Sequence, residues 1–245
     1  MINAFLMIGQ SNMSGRGALD ELPPLECPHA HVWREGAWQP AQEPIVRDRA
    51  FSGAGMGSSF AATLNALTGA EIGLIPCSLG GSPLSAWQPG EALFETAVAQ
   101  SASALASGAR TAGVLWHQGE TDSEDSLLAH TYLKRLAPMM DELERRLRGA
   151  ADSLGAPELV VEPLPVIVGE LGDYLDGYPG SLYHRAINAQ LHEFAQRRAQ
   201  YACAAARDLA HKGDCLHFST RAQRMLGVRY ACAWAQAAER VGLSI

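Results

Sequence analysis

The sequence predicts an α/β protein, a parallel sheet with helices packed against it. Three observations carry that expectation. Five short apolar runs are each followed by a polar or glycine-rich turn and then by a helix-like pattern. At 245 residues the chain is long enough for one well-buried domain, and its proline and glycine are scattered rather than gathered into a linker, so residues 1–245 read as a single domain. Apolar residues make up 47% and charged residues 18%, the balance of a protein that folds in water rather than of a disordered or membrane chain.

Taken in order, the first run, Ile2 to Ile8, has no cationic lead and no cleavage site and is too short to span a bilayer. It reads as the first strand, and a cytoplasmic protein with no membrane partner is expected. Residues His29 to Pro44, with Trp33, Gly36 and Trp38, suggest a small hairpin or an irregular excursion. Phe51 to Ser59 has the glycine content of a phosphate cradle but neither its lysine nor a clear preceding strand, so a flexible loop entering a helix is the better reading, of a kind that can shape the floor or wall of a substrate pocket. Glu71 to Cys77 and Gly113 to Trp116 are the second and third strands.

Leu128, Tyr132, Leu136, Met139, Leu143 and Leu147 then share one helical face, which Pro138 is expected to kink or split. Val166 to Gly169 is the fourth strand; Ile187, Leu191 and Phe194 mark another helix, and Tyr201 to Ala205 the fifth strand. Thr220 and Gln223 fit a capping box at the start of the last helix, with Met225, Leu226, Tyr230 and Trp234 facing inward.

The formal charge of −7 leaves no basic face for a phosphate backbone, and Arg145, Arg146 and Arg148 fall on a helical stretch, so nucleic acid is not an expected partner. Five cysteines at irregular spacings, without a C-x-x-C pair, point to reduced thiols rather than zinc or a redox centre. Nothing in the spacing of His117, Glu120 and Asp122 requires a metal, and no cofactor is expected. The sequence carries no signal for oligomeric state.

A parallel sheet gathers functional groups at the carboxyl ends of its strands. Four turns there hold reactive side chains: Gly9-Gln10-Ser11-Asn12-Met13, Gly80-Gly81-Ser82, His117-Gln118-Gly119-Glu120, and Asp214-Cys215-Leu216-His217-Phe218. A serine hydroxyl becomes nucleophilic when an imidazole takes its proton and a carboxylate orients that imidazole. Ser11, His217 and Asp214 are candidates for these roles. Alone, each is an ordinary turn residue; the company of the other two favours catalysis. Acyl transfer also needs donors for an oxyanion, and the N–H groups of Ser11 and Gly81 and the amide of Gln118 are candidates.

These four blocks resemble those of SGNH hydrolases, and more closely the sialate O-acetylesterase and acetylxylan esterase branch, carbohydrate esterase family six, in which glutamine stands where other SGNH enzymes carry asparagine. The resemblance runs in family order from residue 9 to residue 218. It implies a flavodoxin-like three-layer α/β/α sandwich on a five-stranded parallel sheet of order 2-1-3-4-5, no metal, and acetylated carbohydrate as substrate. It also makes Glu120 a second candidate to orient the histidine, beside Asp214. The nucleophile block lacks the second glycine of G-x-S-x-G and comes first in the chain, which disfavours an α/β-hydrolase.

Two other functions compete: an SGNH esterase, lipase or thioesterase acting on longer acyl groups, and a carbohydrate-binding protein without turnover. Trp87 reads equally as a sugar platform or a core residue, and Tyr174 and Tyr178 as solvated loop tyrosines.

Overall fold

The computed structural model describes residues 1–245. Strands β1 (Ile2–Gly9), β4 (Glu71–Pro76), β5 (Arg110–His117), β6 (Val166–Gly169) and β7 (Tyr201–Ala204) coincide with the five apolar runs, and β5 starts three residues earlier than its run. They lie parallel in the order β4-β1-β5-β6-β7, which is 2-1-3-4-5 counted along these five runs.

The sheet has seven strands rather than five. The hairpin β2 (Ala30–Arg34) and β3 (Ala37–Pro40) extends it beyond β4, β2 running parallel to β4 and antiparallel to β3. Packing explains the join. Val32 and Trp33 are buried, and the ring of Trp38 covers Gly73 so closely that a Cβ there would lie 2.5 Å from it. His29 and His31 each engage a different oxygen of Glu71 at the edge of β4.

Helices α2 (Gly57–Thr68) and α7 (Thr220–Arg240) pack together on one face, and α3 (Ala92–Ala106), α5 (Tyr132–Ser153) and α6 (His184–Ala195) on the other. Two short helices, α1 (Ser11–Ser14) and α4 (Ser126–His130), complete the set. The core is one continuous apolar cluster through both interfaces. Phe5 sets its ring edge-on to Phe60 of α2 and Trp234 of α7, while Trp116, from β5, packs edge-on to Trp87 and donates to Tyr132 Oη. Trp87 is therefore a core residue. No helix is long and apolar enough to cross a membrane.

Three local expectations shift. Pro138 does not split its helix: α5 runs unbroken through it, and the break comes at Thr131, between α4 and α5. A single missing N–H is outweighed by the face that Leu136, Met139, Met140, Leu143 and Leu147 bury. Ser219, not Thr220, caps α7, accepting from the N–H of Ala222. Thr220 and Gln223 instead reach across to Ala18 O and Asn12 O. Met225 is exposed, while Leu226, Tyr230 and Trp234 are buried as expected.

Candidate active site

At the end of β1 the backbone leaves the sheet with Gln10 N–H still donating to His117 O (2.9 Å), and Ser11 opens the single turn of α1. As the first residue of a helix, Ser11 presents an N–H with no carbonyl one turn behind it. Its Oγ stands 3.1 Å from His217 Nε2.

His217 lies in the loop between β7 and α7, and Asp214 shapes that loop locally. Asp214 Oδ1 accepts the N–H groups of Leu216 (3.0 Å) and His217 (2.8 Å), the self-bonding of an aspartate turn. Its Oδ2 is 2.7 Å from His217 Nδ1. Asp214 thus assigns the proton to Nδ1 and leaves Nε2 as the acceptor for Ser11. Burial raises the Asp214 carboxyl, but the His217 N–H and imidazole and the Leu216 N–H outweigh it and hold the group at about 2. His211 Nδ1 accepts the N–H groups of Gly213 and Cys215, each at 3.0 Å, bracing the same loop where Cys215 has a φ of 56°.

The Gly80-Gly81 turn is anchored by two residues that sequence reasoning missed. Arg16 and Asp48, both almost fully buried, form a two-pronged ion pair at 3.0 and 2.7 Å, and Asp48 Oδ2 also accepts the Gly80 N–H at 2.7 Å. Gly81 follows with φ of +78°, a backbone that favours glycine, and its own N–H has no partner in the protein.

Gln118 stands differently from expectation. It is fully buried, and its amide nitrogen faces Asp122 Oδ2 (2.7 Å), Gln10 Oε1 (3.1 Å) and Ser82 O (3.2 Å), while its Oε1 accepts from Tyr132 Oη. Two amide protons shared among three acceptors leave none for a substrate. Gln118 ties the turns of β1, β4 and β5 together. Asp122, which also accepts the Leu84 N–H and pairs with Arg135, continues this knot.

Glu120 touches neither His217 nor Ser11 by a hydrogen bond. It is buried, accepts from Asn12 Nδ2 at 2.5 Å, and has His117 Nε2 at 3.6 Å. Burial opposes its charge, but the partners His117 and Asn12 prevail and lower its pKa. The same Asn12 amide donates to Leu216 O and accepts from Phe218 N–H, gripping the residues on either side of His217. Glu120 therefore reaches the histidine only through Asn12. Nothing in the motif spacing reveals this route; the unexplained asparagine after Ser11 was the available signal.

Ser11 and His217 open onto a cavity of about 290 Å³ whose walls include Gln10, Gly81, Thr121, Arg49 and Phe51. Phe51 is 71% exposed, with the Arg16 guanidinium over its ring. Tyr178 also lines the cavity. Tyr174 is not the solvated tyrosine expected: its hydroxyl is buried and its ring packs against Phe218 and His211. A larger depression of about 610 Å³, between Leu19 and Glu43, is lined by no serine and no histidine.

The sequence matches the family model for carbohydrate esterase, sialic acid-specific acetylesterase, over residues 1–236. A probable carbohydrate esterase of Arabidopsis thaliana is 33% identical over 251 residues, covering 94% of this chain and 89% of the relative. The X-ray structure of that Arabidopsis protein matches with a TM-score of 0.80 at 27% identity, over 95% of this chain and 97% of the other. The crystal structure of NanS, 17% identical, matches with a TM-score of 0.75 over 96% and 97% of the two chains, a likeness of fold. With its α/β fold on a mostly parallel sheet, the chain belongs to the family of carbohydrate esterases described as sialic acid-specific acetylesterases, and is a carboxylic ester hydrolase.

Proposed function

We propose that the protein is a serine esterase that removes O-acetyl groups from carbohydrate through an acyl-enzyme, with Ser11 as nucleophile, His217 as base and Asp214 as the acid that orients it. The observation that carries the reading is the relay itself, 3.1 Å from Ser11 to His217 and 2.7 Å from His217 to Asp214, at the mouth of a cavity.

Ser11 Oγ attacks the acetyl carbonyl as His217 Nε2 takes its proton, and the imidazolium is stabilised by Asp214. The negative charge that grows on the carbonyl oxygen meets the N–H groups of Ser11 and Gly81. Collapse of the tetrahedral species expels the sugar hydroxyl, protonated by His217. Water then attacks the acetyl-serine by the same route and releases acetate. Glu120 and Gln118 take no proton in this cycle; they hold the turns on which the reacting groups stand. The exposed ring of Phe51, which lines the same cavity as Ser11, suits the apolar face of a sugar.

The test is acetate release from an aryl acetate, acetylated xylo-oligosaccharides and O-acetylated sialic acid, with Ser11→Ala and His217→Ala beside the wild type. Loss of turnover in both folded variants is the expected result. A folded Ser11→Ala protein that still releases acetate would overturn the assignment, and the relative rates on the two sugars rank the substrates.

A further inference from the structure

We infer that the protein has a second sugar subsite, on the far side of Phe51 from Ser11, which takes the unit next to the acetylated one in an oligosaccharide. The inference rests on the carbohydrate-esterase reading above and concerns how much of the substrate the protein grasps. A second cavity, of about 590 Å³, adjoins the reaction cavity, and the two share Phe51 and Arg16 among their walls. Arg16, fixed by Asp48, holds its guanidinium 5.4 Å from the centroid of the Phe51 ring, while Phe51 is 71% exposed. A ring pinned from one side and open to solvent where two cavities meet is a platform rather than a core residue. At about 290 Å³ the reaction cavity lies at the low end of the roughly 300–1,000 Å³ of sites that enclose a whole ligand, room for one acetylated ring and little more.

The second cavity also has what a pyranose needs, apolar surface for its C–H face and donors for its rim of hydroxyls. Phe51 and Leu19 supply the first, both of them exposed. For the second, the hydrogen bonds already made decide which groups remain. Both Glu21 oxygens are spent on the N–H groups of Thr220 and Arg221 at the start of α7, and Ser52 Oγ accepts the Arg49 N–H and donates to Asp48. Lys212 Nζ, by contrast, makes no hydrogen bond, its nearest carboxylate oxygen being Asp214 Oδ2 at 3.7 Å. Ser219 Oγ accepts the Ala222 N–H and keeps its own proton. Both stand on the loop that carries His217, whose carbonyl accepts the Lys212 N–H at 2.9 Å. One loop thus presents the base to the first cavity and two free donors to the second.

Acetate release from mono-acetylated xylose and xylotriose, and from O-acetylated sialic acid and sialyllactose, tests this through the ratio of kcat/KM for the oligosaccharide to that for its single sugar. In at least one series the ratio should be about 10 to 30, the gain from an aromatic contact and one or two hydrogen bonds made away from the reacting centre. Ala18→Trp, at an exposed position that lines the second cavity and not the first, should bring that ratio to within about twofold of one. Leu19→Arg, which fills the same space from the neighbouring position, carries the same expectation should the tryptophan variant fail to fold.

A ratio within about twofold of one in both wild-type series would overturn the inference. So would a high ratio that the folded variants keep, since the second unit would then lie elsewhere. p-Nitrophenyl acetate, which offers nothing to the second cavity, separates this from failure of the proposed function. A protein that hydrolyses it but no sugar ester loses the carbohydrate reading and the subsite with it, whereas sugar esters cleaved equally well at every length remove the subsite alone.

Discussion

Asn12→Ala removes the side chain that connects the nucleophile turn to the histidine loop, and its cost can be worked from three hydrogen bonds. The bonds to Leu216 O (3.1 Å) and from Phe218 N–H (3.2 Å) are neutral, worth about 1 kcal/mol each, and the one to the Glu120 carboxylate (2.5 Å) about 1.5–3 kcal/mol. The sum is about 4 kcal/mol, a large part of the roughly 5–15 kcal/mol by which a domain is stable. Glu120 would be left buried with only His117 Nε2, 3.6 Å away. The kinetic effect follows from position. Asn12 holds residues 216 and 218, and His217 between them must stay within reach of Ser11; misplacement by about 1 Å costs on the order of 100-fold in rate. Urea unfolding followed by circular dichroism gives the first quantity and kcat on p-nitrophenyl acetate the second. A stability loss below about 1 kcal/mol together with an unchanged kcat would refute the clamp. Asn12→Asp sharpens the test, since it keeps the acceptor for Phe218 but sets a second carboxylate against Glu120, and should be at least as damaging.

Asp214 gives a prediction in pH. Its folded pKa lies near 2, below the usual 3.8, so its contribution to stability is complete above about pH 4 and lost as pH falls from there through about 2. Thermal melts over that window should show a steeper loss in wild type than in Asp214→Asn, and equal slopes would contradict the hydrogen bonds assigned to it. Gly80→Ala should destabilise the protein by about 1–3 kcal/mol and lower kcat, because the new Cβ would stand 2.3 Å from the Arg16 guanidinium and 3.0 Å from Asp48 Oδ2. A melt and a kcat indistinguishable from wild type would show the ion pair to be freely displaceable. Phe51→Ala, at a 71% exposed position, should leave the melting temperature unchanged and raise KM for acetylated oligosaccharides about five- to tenfold, roughly 1 kcal/mol of aromatic contact. An unchanged KM on every sugar tested would remove Phe51 from substrate binding.

The parts of the site legible in the sequence are those in which chemistry and proximity along the chain coincide. Asp214 and His217 lie three residues apart, and one turn makes both of their contacts. The early serine stands at the end of a strand whose apolar run is unmistakable. What the sequence hid is long-range. Arg16 and Asp48 are 32 residues apart, and their meeting under Gly80 depends on how the loop around Phe51 folds back onto residues 15–17. The stretch at residues 30–40 reads as a small hairpin or an excursion, and the hairpin is what forms; its place in the sheet is long-range, set by the pairing of β2 with β4 and by Trp38 lying over Gly73.

The two glutamines show the limit most clearly. Gln10 and Gln118 carry the same amide, and spacing alone cannot say which presents its nitrogen to a substrate. Their surroundings differ: three acceptors surround the nitrogen of Gln118, with Tyr132 Oη on its oxygen, whereas Gln10 has three donors on its oxygen and no acceptor on its nitrogen. A motif identifies residues that a site cannot do without, but whether such a residue touches the substrate or holds the one that does is a question of where its hydrogen bonds are already spent.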